Sequence, residues 1–257
     1  MTRHLDFDGI HNFRDFGGYA AAGGRELKRG RFYRSANHHR ASDADLLRLR
    51  ALDLAVIVDL RQPSERDREP SRRWEGFASR VVENDLAEEH LDFEQLVQEA
   101  DLSPAWFFAH SRDFYARAPY EPRHVDLFRR YFHAVAETDG AVLVHCAAGK
   151  DRTGLICALT HHVAGVHRDD MLQDYLLTND EARLAAKIQS LGPWLESTIG
   201  RRASDAALRV AVSVHPEYLE RALAVIAGRD GSIEGYLDRT LGLDARLRER
   251  LHERLLA

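Results

Sequence analysis

The chain has 257 residues, 44% of them hydrophobic and 30% charged, with a net charge of −5. That is enough apolar material for one substantial core, and the acidic balance excludes a general nucleic-acid binder, which would be basic. Two cysteines do not make a disulfide scaffold. The opening MTRHLDFDGI lacks the apolar stretch of a secretory signal, and no run reaches the roughly 18 apolar residues of a membrane span. No stable membrane insertion is expected, and the default compartment is the cytoplasm, with export without a signal peptide left open. No repeat or low-complexity linker divides residues 1–257, which read as a single domain, and nothing in the sequence fixes its oligomeric state.

In chain order, residues 12–18 carry two turn-forming glycines and an apolar Phe13. Residues 31–34 read as a short strand. Ser42-Asp43-Ala44-Asp45 resembles a capping box and opens a helix with Leu46, Leu47, Leu49 and Leu52. Residues 54–60 are a continuous, β-branched apolar run, hence a buried strand that ends in Asp59-Leu60-Arg61. Pro63 and the charged run at 64–73 predict a loop that can include one helical turn. Residues 80–83 predict a strand leading to Asn84-Asp85. Residues 88–117 are helical, interrupted by Ser103-Pro104, an N-cap followed by Pro at the first helical position. Their Leu96, Val97, Trp106, Phe107, Phe108 and Phe114 suit core packing or a helical lid at about 87–118.

Residues 122–137 are amphipathic, with Val125, Phe128, Phe132 and Val135 at helical spacing. A strand at 141–145 and a helix at 153–164 follow, and Gly165 closes the helix. The remainder is helical, through 169–178, 181–190, 216–227 and 232–241. Strands alternating with helices predict an α/β fold, a central parallel or mixed sheet flanked by helices, with sites beyond the carboxyl ends of the strands.

One such end reads His145-Cys146-Ala147-Ala148-Gly149-Lys150-Asp151-Arg152-Thr153-Gly154. A Cys thiol ordinarily titrates near ~8.5, and a helix N-terminus with nearby cations lowers that value and makes the thiolate nucleophilic. The helix start and successive loop amides, those of Ala147, Ala148, Gly149 and Lys150 among them, can cradle an anion. Arg152 offers a planar fork for two phosphoryl oxygens. Gly149 lets the backbone approach closely. Thr153 can hydrogen-bond the sulfur, and Gly154 continues the turn into the helix. His145 fits orientation of the loop better than general-base work. Cys157 fits a packed core thiol. The doublets His38-His39 and His161-His162 lack a ligand set, so no metal and no cofactor is expected.

The whole string resembles the signature loop of cysteine-dependent tyrosine phosphatases. Its Lys-Asp pair is similar to a bacterial atypical group, the PtpB-like tyrosine and lipid phosphatases. Asn12-Phe13-Arg14-Asp15-Phe16-Gly17-Gly18, Gly30-Arg31-Phe32-Tyr33-Arg34-Ser35, Val56-Ile57-Val58-Asp59-Leu60-Arg61 and Asp174-Tyr175-Leu176-Leu177-Thr178-Asn179 resemble that group too. The resemblance implies a cysteine-phosphatase-like fold with a helical lid. It implies hydrolysis of phosphotyrosine, with phosphoserine or phosphothreonine open, through a phosphocysteine on Cys146. A phosphoinositide phosphatase using the same loop is the alternative, and the substrate partner is then a phosphorylated protein or a phosphoinositide. For the proton donor the resemblance favours Asp85 and Asp151. No Trp-Pro-Asp string marks a separate acid loop. We expect Asp85, which can approach from the lid side, to carry the leaving-group dependence, and Asp151, against the phosphate and Arg152, to affect every substrate. Asp59, Arg14 and Asp15 are expected to support the loop from behind. Lys150 is expected either to hold extra ring phosphates or to steady the loop against Asp151.

Overall fold

A computed structural model of the chain describes residues 3–87 and 93–257. Its strands among these residues are β1 (Arg14–Asp15), β2 (Phe32–Ser35), β3 (Leu54–Asp59), β4 (Arg80–Val82) and β5 (Ala141–His145). They form one five-stranded sheet in the order β1-β2-β5-β3-β4. Only β1 runs antiparallel, to β2, and the other pairings are parallel. The expected strand at 80–83 stops at Val82, and β1 carries no pattern that would have announced it.

The two central strands, LAVIVD and AVLVH, are apolar on both faces because helices cover both. Val56, Val58, Val142 and Val144 face the larger core, with Leu127, Phe128 and Tyr131 of α5 (Pro122–Glu137), Leu155 and Ile156 of α6 (Asp151–Ala164), and the C-terminal helix Ala245–Leu255. Ile57, Ala141 and Leu143 face the other side, where Phe13, Tyr33 and Leu49 of α1 (Asp43–Ala51) pack. An irregular register between Leu54 and Val56 lets Leu54 join this second face. The capping box at α1 forms, with Ser42 accepting from the Asp45 amide and Asp45 accepting from the Ser42 amide. Cys157 is packed in the larger core, and burial pushes its thiol up to about 12.

The charged run after β3 does make a helix, α2 (Pro63–Arg68), with Pro63 at its first position. Residues 88–92 of the expected lid lie outside the described residues. The rest of that segment forms α3 (Phe93–Glu99) and α4 (Pro104–Arg117), with Ser103 Oγ accepting from the Trp106 amide at 3.0 Å. α4 serves two cores. Phe107 packs with Val97, Leu195, Ala207 and Leu208 in a separate cluster shared with α8 (Glu181–Ile199) and α9 (Asp205–Val212). Tyr115, further along α4, lies in the larger core. α8 runs well past the expected end at 190 and carries Pro193 inside it, and α9 falls in a stretch for which no separate helix is expected. No helix among the described residues is long and apolar enough to cross a membrane.

Behind the carboxyl end of the sheet sits a buried charge cluster. Asp174, on α7 (Arg168–Leu176), pairs with Arg14 at 3.3 Å and with Arg34 at 2.9 Å, and all three side chains are at most 1% exposed. Burial opposes ionisation of Asp174, but Arg14 and Arg34 outweigh it and hold the carboxyl at about 2. Removing one member of a buried cluster leaves uncompensated charge. Asp174→Asn is therefore expected to cost about 3–5 kcal/mol in the denaturant midpoint. Because the folded pKa lies below the ordinary carboxyl value of 3.8, this contribution is present above that pH and is lost as pH falls toward about 2. An Asn variant as stable as the parent at neutral pH would contradict the assignment.

Candidate active site

The parallel register sets the site. His145 stands beside Ser35 of β2 on one side and Asp59 of β3 on the other. The chain then leaves the sheet through Cys146, which is 2% exposed, and enters α6 at Asp151. The helix begins earlier than residue 153, so Arg152, Thr153 and Gly154 belong to its first turn. Ala147 and Ala148 are the solvent-open part of the loop. Gly149 has φ +64°, and a Cβ there would lie 2.4 Å from the Ser35 carbonyl carbon and oxygen. Both left-handed backbone and close approach therefore demand glycine.

The loop carbonyls are tied down from outside. Gly149 O accepts from Asn12 Nδ2 at 2.8 Å and Arg34 Nη2 at 3.1 Å. Ala147 O accepts from the Asn37 amide at 3.1 Å and Asn37 Nδ2 at 3.2 Å. Among the described residues, none accepts a hydrogen bond from the backbone amides of 147–150. Carbonyls held and amides left free, ahead of a helix N-terminus, form an anion cradle beside a thiol.

Arg152 is aligned by Glu65 of α2. Its guanidinium meets the two Glu65 oxygens at 2.5 and 2.7 Å and Leu60 O at 3.1 Å. Glu65 is itself fixed at the start of α2 by the Gln62 amide at 2.7 Å. Asp151 accepts from Tyr115 Oη at 3.2 Å, and Tyr115 Oη in turn accepts from Tyr175 Oη at 2.8 Å. Burial drives both phenols well above their ordinary value, so they stay protonated donors. Lys150 Nζ donates to Ala211 O at 2.7 Å and Ser213 O at 3.2 Å, and lies 3.6 Å from Asp151 Oδ2. Asp85 is 90% exposed and paired with Arg66 at 2.5 Å. Thr153 Oγ is buried without a hydrogen-bond partner, the cysteine sulfur included.

The supporting residues divide. Arg14 reaches the loop through Asn12, to whose Oδ1 its Nη1 donates. Asp15 does not reach it; its carboxylate takes the Gly17 and Gly30 amides at 2.8 and 2.7 Å and shapes the turns around β1. Asp59 grips Arg61 through 2.7 and 2.9 Å contacts. Burial opposes its ionisation, but His145 and Arg61 hold it well below the usual carboxylate range. His145 stacks on His38 at 4.6 Å, and burial lowers its pKa to about 4, so it carries no charge at neutral pH. Among the described residues no His, Cys, Asp and Glu group is placed to hold a metal. Sequence reasoning left Asn37, Glu65, Tyr115 and Arg34 unassigned. Glu65 alone had a local signal, the Gln62-Pro63-Ser64-Glu65 capping pattern.

Residues 5–257 match the family described as the tyrosine phosphatase family. Over 246 residues the chain is 36% identical to a Cupriavidus necator protein provisionally named a tyrosine-protein phosphatase, covering 94% of this chain and 86% of that one. Over 265 residues it is 32% identical to the triple specificity protein phosphatase PtpB of Mycobacterium tuberculosis, covering 90% of this chain and 92% of the relative. The crystal structure of P. aeruginosa TpbA aligns over 76% of this chain and 96% of its own, at 20% identity and a TM-score of 0.33.

The tight approach at Gly149 makes a local test. Gly149→Ala is expected to destabilise the fold by about 1–3 kcal/mol and to abolish binding of a phosphate-like oxyanion such as orthovanadate, measured by titration calorimetry. Undiminished binding by a folded Ala variant would contradict the cradle.

Proposed function

Because the chain belongs to the tyrosine phosphatase family, we propose that Cys146 is its nucleophile and that phosphotyrosine is its substrate. The observation that carries this reading is the loop itself: a thiol at a strand end, the unclaimed amides of 147–150 and an Arg held in place by Glu65. The Cys146 thiolate attacks phosphorus in line, an S–P bond forms and the P–O bond to the leaving phenol breaks. Arg152 and the loop amides stabilise charge on the equatorial oxygens. Water then attacks the phosphocysteine, which releases phosphate and restores the thiolate. No step calls on a metal.

Asp151 is the better placed proton donor. It adjoins Arg152 in the loop and is oriented by Tyr115 and Lys150. It would protonate the leaving oxygen and then take a proton from the attacking water. The geometry supports this over Asp85, whose exposed carboxylate faces Arg66. Thr153, with its unsatisfied buried hydroxyl, is free to turn toward the sulfur when the thiolate forms or leaves. Lys150 acts as a brace between α6 and the C-terminal carbonyls of α9. That engagement also weighs against the phosphoinositide alternative, which needs this amine for ring phosphates. The α3–α4 segment is assigned as a cover over the Asp151 side of the loop, through Tyr115. We read residues 1–257 as one domain, since α4 packs into both the larger core and the α8–α9 cluster.

Cys146→Ser is expected to abolish hydrolysis of p-nitrophenyl phosphate while the protein stays folded, because a hydroxyl cannot be ionised by the loop. More than trace turnover would sink the thiolate mechanism. Asp151→Asn should slow alkyl phosphates ~10²–10⁴-fold and activated aryl phosphates much less, with Asp85→Asn indifferent to the leaving group. The reverse pattern would move the acid to Asp85. Lys150→Ala should lower turnover of phosphotyrosine and soluble phosphoinositides alike, and a selective loss on the lipid would restore the phosphoinositide reading.

A further inference from the structure

The end of the sheet opposite the loop carries a cleft that the chemistry above does not use. It lies where β2 and β5 begin, encloses about 160 Å³ and is floored by Phe32, Val135 and Val142 at the edge of the larger core. Cys146 is four residues further along the chain from Val142, about 13 Å at strand spacing, so cleft and loop are separate places. Lys28, Arg31 and Arg254 line the cleft. Backbone pairings fix where they stand. The Lys28 amide donates to Leu255 O at 2.8 Å, and the Val142 amide donates to Arg31 O at 2.8 Å. Lys28 Nζ donates to Glu253 O at 2.8 Å, which uses one of the three donors of an ammonium. Among the described residues the Arg31 side chain makes no hydrogen bond and no ion pair.

The charges do not balance. Asp139, which pairs with Arg254, is the one carboxylate lining the cleft. α5 and the C-terminal helix Ala245–Leu255 both end beside it, and each C-terminus supplies about half a negative charge. Three cations against about two negative charges leave roughly one positive charge over. Asp139 is 84% exposed and can turn into water when a stronger anion arrives. That raises the surplus to about two, the charge of a phosphate ester. We propose that this cleft binds a small organic phosphate, its phosphoryl oxygens against Lys28, Arg31 and Arg254 and its apolar body on Phe32, Val135 and Val142. A carboxylate has two oxygens for three cations, whereas a phosphoryl group has three. Burial, then Arg254 and Arg31, disfavour the protonated Lys28 amine, which an entering anion would relieve.

The test titrates the full chain with phenylphosphonate, whose C–P bond resists a phosphatase, and follows backbone amides by heteronuclear NMR. Amides at 138–142 report the cleft and those at 147–150 report the loop, so the two sites are read separately. The wild type should show saturable shifts at 138–142, and inorganic phosphate should bind there about tenfold more weakly because it leaves the apolar floor uncovered. Lys28→Ala/Arg31→Ala should weaken the cleft site about tenfold or more, and Arg31→Glu should do so without touching Lys28. Both should leave the shifts at 147–150 and p-nitrophenyl phosphate turnover unchanged. Asp139→Asn should tighten the cleft site about threefold by removing the competing carboxylate. Cations that only balance the two helix ends would give no shifts at 138–142, and that result would overturn the proposal. So would shifts there that survive Arg31→Glu, or equal affinity for inorganic phosphate and phenylphosphonate.

Discussion

The site depends on one buried arrangement, two arginines sharing a single carboxylate behind the loop. Asp174 can neutralise only one charge, and Arg14 and Arg34 are both fully buried. The surplus positive charge lies beside the Gly149 carbonyl, which Arg34 contacts directly and Arg14 through Asn12. Holding that carbonyl is what turns the neighbouring amides outward, so charge in the core and anion affinity at the surface come from the same contacts. The arrangement also welds three distant parts of the chain, β1–β2, α7 and the loop, at the point where chemistry would occur.

Two further contacts flank the loop and act on different residues. Glu65 fixes the Arg152 fork from α2, meeting both of its terminal nitrogens. A bidentate partner reduces the rotamer freedom that Arg152 would otherwise lose on meeting substrate. Opposite it, Tyr175 and Tyr115 pass a hydrogen bond to Asp151, and Lys150 holds the other carboxylate oxygen at 3.6 Å. The same α4 that supplies Tyr115 anchors the α8–α9 cluster through Phe107, and α9 ends on the carbonyls that hold Lys150. The helical segments beyond the sheet are thus coupled to Asp151 and Lys150 by packing as well as by hydrogen bonds.

Much of this was legible in the residues. The β3 and β5 runs, the periodicity of 122–137 and the Ser42 and Ser103 caps each carry a local physical signal, and each element forms where that signal lies. The loop was legible because strand, thiol, glycine and Arg must follow one another in sequence. What was not legible is contact across the chain. Glu65 and Arg152, or Tyr115 and Asp151, have no shared periodicity, and only the folded topology brings them together. Asp85 shows the converse: its place after a strand suggested a donor, yet Arg66, reaching over from α2, claims its carboxylate. Asp15 follows Arg14 by one residue, but strand alternation turns it to the other side, toward the Gly17 and Gly30 amides.

The central claim is a covalent phosphocysteine on Cys146, and rapid acid quench during turnover of an aryl phosphate, followed by peptide mass analysis, tests it most directly. The account predicts one phosphoryl group on the peptide that contains Cys146, more of it in Asp151→Asn, where water attack is slowed. A phosphoryl group on any other residue, or none during a demonstrated pre-steady-state burst, would contradict it.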